Sequence, residues 1–168
     1  MQRRTLLKLG AVSATVLILA GGAAALFQPG LRQGRLTASA QAVFSSLGRA
    51  FLDGTLPPEP ATQKAALAGL LRRIDVTVQG LPPQAQAELS QLLGILGTGL
   101  GRRTLAGLST DWIDASVAEV QEALQSMRES SLALRLQSYQ ALHDIVGAAY
   151  FSDASTWAIV GYPGPPDI

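Results

Sequence analysis

Cysteine is absent from this chain of 168 residues, and histidine occurs once. The first absence excludes disulfides, thiolate zinc sites, Cys-ligated iron–sulfur clusters and covalently attached c-type haem. Charge is also scarce. Lys, Arg, Asp and Glu together make up 15% of the residues, where about 25% is usual for a free-standing soluble domain. Such a deficit points to a membrane segment, a partner surface, or both. The net charge is +1 and no basic block occurs, which argues against nucleic acid as a partner. Strand character, internal repeats and low-complexity runs are lacking as well.

Apolar residues, at 48%, recur with helical spacing from Thr37 onward. Val43, Phe44, Leu47 and Phe51 share one face of a first helix, which Gly54, Pro57 and Pro58 end. Leu67, Leu70, Leu71, Ile74, Val78 and Leu81 form the stripe of a second. Pro82 and Pro83 suit the first turn of a third, which carries Leu89, Leu92, Leu93 and Leu96. The run GTGLGRR then breaks the pattern, and a short helical turn carries Leu105 and Leu108. Ser116 and Glu119 have the spacing of a capping box ahead of Val117, Val120, Leu124 and Met127. The last helix spans about Ser131 to Phe151. Leu132, Leu136, Tyr139, Leu142, Ile145, Val146 and Tyr150 give it an apolar sector wide enough for contact on several sides. The expected fold is all-α, a bundle of about five helices over residues 37–152. Residues 28–36 read as a linker, and 153–168 as an irregular, extended tail rich in aromatics, Pro and Gly.

Candidate chemistry is thin. His143 has Gln140, Tyr139, Val146 and Gly147 at helical spacing, and Asp144 projects about 100° away from it. It reads as a buried or boundary histidine. GTGLGRR lacks the preceding strand and the Lys-Ser or Lys-Thr pair of a phosphate loop. Arg72-Arg73 and Arg102-Arg103 read as solvated charges or partners of nearby acids, and Asp111 and Asp114 as acids favoured near a helix start. No catalytic, cofactor-binding or metal-binding residue is assigned, and the chain is not expected to be an enzyme by itself.

The chain opens MQRRTLLKLGAVSATVLILAGGAAALF. Charged residues, an apolar stretch and then small residues describe an export signal over residues 1–27. Arg3, Arg4, Leu6, Leu7 and Lys8 resemble the twin-arginine pattern, with Leu6 where Phe is common. That resemblance implies the twin-arginine translocase as a partner, periplasmic delivery, and passage of already folded cargo. The uncharged stretch from Leu9 to Phe27 is also just long enough to span a bilayer, which takes about 20 residues, so an uncleaved inner-membrane anchor stays open beside the export signal. Small-residue cleavage sites occur at Ala23 and Ala25, at Ala38 and Ala40, and at Ala40 and Ala42.

Tyr150, Phe151, Trp157 and Tyr162 gather at the other end, followed by Pro163, Gly164, Pro165 and Pro166. Such rings can fold back to cap the bundle. They can also anchor an interface, on a segment that proline stiffens. The expected partner-binding residues are Tyr150, Phe151, Trp157, Tyr162 and Pro163, with Trp112 second. The twin-arginine start, FLDGTLPP and the YFSDASTWAIVGYPGPP ending together resemble the small subunits of membrane-associated flavin dehydrogenases of the gluconate 2-dehydrogenase subunit 3 type. The resemblance implies a large flavoprotein partner of the glucose–methanol–choline oxidoreductase class. That partner lacks its own signal, folds around FAD in the cytoplasm, and is exported with the small subunit. It implies no cofactor on this chain. A cytochrome subunit is a candidate third partner, although no residue here shows an electron route. The alternative is a membrane-tethered periplasmic helical protein with no flavin partner.

Overall fold

The computed structural model describes residues 28–164. The signal positions Arg3, Arg4, Leu6, Leu7 and Lys8, and the anchor stretch 9–27, lie outside the described residues. Within them the chain is helical apart from one two-stranded hairpin. The hairpin pairs β1 (Leu31–Arg32) with β2 (Arg35–Leu36) in antiparallel register, Leu31 opposite Leu36. It replaces the linker expected over 28–36. Gln33 and Gly34 both take positive φ, as a two-residue turn requires, and Leu31 and Leu36 turn inward. The Asp75 carboxylate accepts the Leu36 N–H at 2.8 Å, and the Ser90 hydroxyl accepts that of Leu31 at 3.1 Å. These bonds satisfy backbone groups of an otherwise lone hairpin.

Helix α1 (Ala38–Phe51) starts at Thr37, whose hydroxyl caps the first turn. Helix α2 (Pro60–Gln79) starts at Glu59, whose carboxylate accepts the Thr62 N–H at 2.7 Å. Helix α3 (Pro83–Leu96) has proline in its first turn and ends at Gly97. The break in GTGLGRR falls at Gly97–Thr98. Gly99 and Gly101 then lie within α4 (Gly99–Gly101), a single turn that widens to π geometry over Arg102–Ala106. Helix α5 (Val117–Arg128) carries the expected capping box in full, with Ser116 and Glu119 each bonding the other's backbone N–H. Helix α6 (Ala133–Phe151) follows directly.

The expected stripes meet in one core. Phe44, Leu47, Leu70, Ile74, Leu93, Leu96, Met127, Leu142 and Val146 are fully buried within it. Helix α6 packs on α1, α2 and α5, as its broad sector required. Leu132 departs from that sector: it caps the start of α6 and is exposed. No helix among the described residues is long and apolar enough to cross a membrane.

Trp112 is 4% exposed, and its indole N–H donates to the Leu96 carbonyl at 2.7 Å. It seals the end of α3, where helix carbonyls otherwise lack partners. The buried Arg102 holds the adjoining loop through Asp111 at 2.9 Å. The loop acid expected near a helix start is therefore an ion-pair partner instead.

Two outcomes follow. Trp112→Phe removes the indole N–H from the Leu96 carbonyl and leaves a small cavity, so urea titration followed by circular dichroism should show a loss of about 1–3 kcal/mol. Unchanged stability would remove the role given to that bond. The Glu119 carboxyl is held down to about 2, chiefly by the Thr110 hydroxyl and then by the Ser116 backbone and hydroxyl. A depressed carboxylate stabilises the fold above its ordinary range, and that share fades as pH falls through the lowered folded value. The stability gap between the natural chain and Glu119→Gln should therefore be full near neutrality and close as pH approaches about 2. A gap that does not vary with pH would contradict this.

Candidate partner-binding site

The site is assembled where α6 ends. Past Ser152 the chain does not run extended. It winds into a 3₁₀ strap over Ala154–Val160, which corrects the extended tail expected from Asp153 for these residues. Local capping explains the difference. One oxygen of Asp153 accepts from the Ser155 N–H at 3.1 Å and from its hydroxyl at 2.7 Å, which starts the turn. Gly161 closes it with φ 72°, and the Tyr162 N–H reaches back to the Trp157 carbonyl at 3.0 Å.

Arg73 fastens the strap to α2. Its Nε donates to the Ala149 carbonyl at 2.8 Å, and its Nη1 meets the second oxygen of Asp153 at 3.1 Å. The buried Thr156 hydroxyl lies 2.7 Å from the Asp153 carbonyl and 3.1 Å from that of Tyr150. The Trp157 indole N–H donates to the Phe151 carbonyl at 2.8 Å, so the ring folds back over the open end of α6. Tyr162 packs edge-on against it, with ring centroids 5.4 Å apart.

The expected contact residues therefore separate into two groups. Trp112 and Tyr150 are buried, and of the two only Tyr150 lines the groove beneath the strap. Trp157 is half-buried and braces the strap. Phe151, Tyr162 and Pro163 are exposed, as expected. Ile159, which is not among the expected contact residues, is exposed as well. Apolar side chains left in water on a fastened backbone suit recognition of another protein, because little ordering remains to be done on binding.

Beneath the strap lies an open groove of about 390 Å³ between the loop after α1, α2 and the strap. Leu56, Leu70, Tyr150 and Ile159 give it apolar walls, while Arg72 and Arg73 line its polar side. Arg73 is committed to the strap, whereas Arg72 is exposed to solvent. The two members of the Arg72-Arg73 pair thus have different roles, as do buried Arg102 and exposed Arg103.

His143 lies apart from the groove on the outer side of α6. Contrary to expectation it is exposed, and its Nδ1 sits 3.2 Å from the Asp144 carboxylate. Both side chains project toward solvent, where leaning together bridges their angular separation. The ring also stacks on Tyr139, at 5.8 Å and 21°, and meets the edge of Phe51 at 5.3 Å. Two of the candidate processing sites fall inside α1, where Ala40 is buried, so cutting there would open the core. Ala23 and Ala25 lie outside the described residues.

The Asp153 carboxyl is held below the usual carboxylate range, first by the Ser155 hydroxyl, then by the Ser155 N–H and the Arg73 charge. Its contribution is therefore complete above the ordinary Asp range and is lost as pH falls through the depressed value. Asp153→Asn and Arg73→Met should each loosen the strap, seen as a red-shifted and more readily quenched Trp157 emission in a Trp112→Phe background. In the unsubstituted strap the same change should appear only in acid. Emission that ignores both substitutions would show that the clamp does not position the ring.

Compared with known protein families, curated proteins and solved structures, the chain matches none.

Proposed function

We propose that this chain is a non-catalytic small subunit. It binds a signal-less, FAD-dependent oxidoreductase of the glucose–methanol–choline class, helps it mature, and escorts it through twin-arginine export. One observation carries the reading: Phe151 at the end of α6, Ile159 on the strap, and Tyr162 and Pro163 just past it are exposed where Arg73, Thr156 and Trp157 fasten the chain to the helices. A rigid apolar surface of this kind supports a contact with a folded protein. The Arg3-Arg4 pattern, made for folded cargo, supplies a reason for that protein to be the passenger.

In this reading the cofactor belongs to the partner, and the complex is delivered to the periplasmic side. The Leu9–Phe27 stretch holds it at the inner membrane wherever the signal is not removed. Electrons leave the flavoprotein for an acceptor outside this chain, for which a cytochrome subunit is the candidate. Arg72, free at the groove's rim, would pair with an acidic residue of the partner.

Export and binding separate under substitution. Arg3→Lys with Arg4→Lys should leave both polypeptides in the cytoplasm, still associated and still yellow. Phe151→Asp with Ile159→Asp should let the tagged chain reach the periplasm while the flavin recovered with it falls roughly a hundredfold, as the loss of two interface anchors implies. Circular dichroism of the second variant checks that the helices persist. A chain that reaches the periplasm without any flavoprotein, before any substitution is made, would overturn the proposal.

A further inference from the structure

The body has a second exposed apolar surface, at the opposite end from the strap. Three segments meet at the C-terminal end of α3. Gln28 is the first: a β-carbon on Gly94 would lie 2.7 Å from the Gln28 carbonyl oxygen, so the backbone there passes directly against the helix. Leu100 is the second. It follows the end of α3 by four residues, and the Thr98 hydroxyl ties that connection to the Ile95 carbonyl at 2.8 Å. Ile113 is the third, positioned by its neighbour Trp112, whose indole is bonded to the Leu96 carbonyl. Leu100 is 74% exposed and Ile113 73%, the two highest values among the large apolar side chains described. Neither belongs to the core that the surrounding residues build.

We infer that this end of the body rests on the bilayer, with Leu100 and Ile113 inserted among the lipids. The inference rests on the tethered form of the reading above. The tether argues for lipid as the occupant. Gln28 follows the uncharged Leu9–Phe27 stretch directly, and successive α-carbons are about 3.8 Å apart, so an anchored chain must bring Gly94 and its surroundings to the membrane surface. Among the side chains exposed there are an isoleucine and a leucine, beside Arg103, Thr104, Asp111 and Asp114. The charges nearest Leu100 and Ile113 in the chain, exposed Arg103 and Asp114, are of opposite sign, and Asp111 is taken by Arg102, while Arg32 and Arg35 are exposed on the neighbouring hairpin. The contact is therefore driven by apolar burial, and neither salt nor anionic lipid should be needed for it.

The orientation has a consequence for the strap. Helix α1 joins the two ends, with Ser39 against Gly97 at one and Leu52 in the groove wall at the other. Its 14 residues place the strap roughly 20 Å farther from the lipid. A partner could then reach Phe151, Ile159 and Tyr162 from the aqueous side while the chain stays on the membrane.

The absence of native cysteine makes the test direct. Leu100→Cys, Ile113→Cys and Ile159→Cys, each made singly in the full chain, carry an environment-sensitive fluorophore and are reconstituted from detergent into phosphatidylcholine vesicles. Labels at 100 and 113 should be quenched several-fold less by iodide than the label at 159, at low and high salt alike. Quenching by nitroxide lipids should show the reverse order. A chain that floats with the vesicles while all three labels are equally open to iodide overturns this inference and leaves the tether standing. Failure to float removes both. Protection at 100 and 113 that appears only when a flavoprotein is added assigns this end to a protein partner, and also overturns the inference.

Discussion

One guanidinium ties the C-terminal strap to α2, while Thr156 and Trp157 bond it to the end of α6. Arg73 reaches from α2 to the Ala149 carbonyl near the end of α6 and to the carboxylate that starts the strap. Charge-assisted bonds of this kind are among the stronger ones a surface can offer, though partial exposure limits what the ion pair itself contributes. Its importance is geometric. With Asp153 and Ala149 held, Trp157 covers the end of α6, and the side chains that follow it are presented on a fixed backbone. Without it, the strap would be four aromatic and aliphatic groups on a loose chain end.

Two ends of the molecule carry exposed apolar side chains, and α1 spans the distance between them, while Val76, Leu132 and Leu134 are exposed elsewhere. One end holds Leu100 and Ile113 beside the entry of the chain at Gln28. The other holds Phe151, Ile159 and Tyr162 on and beside the strap. Between them the core is closed, and two of the hydroxyls buried in it are bonded locally. Ser138 turns its hydroxyl back to the Leu134 carbonyl, and Thr156 serves the end of α6. A body with a sealed middle and two apolar ends suits a part that joins other parts, which is the role proposed for it.

Much of the fold was legible in the sequence because helices announce themselves through short-range rules. The spacing of Leu67, Leu70, Ile74 and Val78, proline at the start of α3, and the Ser116–Glu119 box each depend on residues within one or two turns of each other. What escaped depends on contacts between residues far apart. The hairpin needs Asp75 and Ser90 to receive its N–H groups, and nothing in the symmetric run Leu31-Arg32-Gln33-Gly34-Arg35-Leu36 names them. Trp112 looked like a contact residue because a lone indole in a polar loop has no local partner; its partner is the end of α3. Tyr150 and Phe151 are neighbours with opposite fates, one inside and one out, and composition could not separate them. The strap was hidden for the same reason, since proline and glycine after it suggested an extended chain while Arg73 and Asp153 fold it back.

The central claim is that a signal for folded cargo sits on a chain whose passenger is another polypeptide. Native mass spectrometry of the untagged chain, isolated from the periplasmic membranes of its own host, weighs that passenger directly. The expected result is one particle that contains this chain, a larger polypeptide and FAD. The chain at its own mass alone, at natural expression levels and without flavin, would contradict the claim.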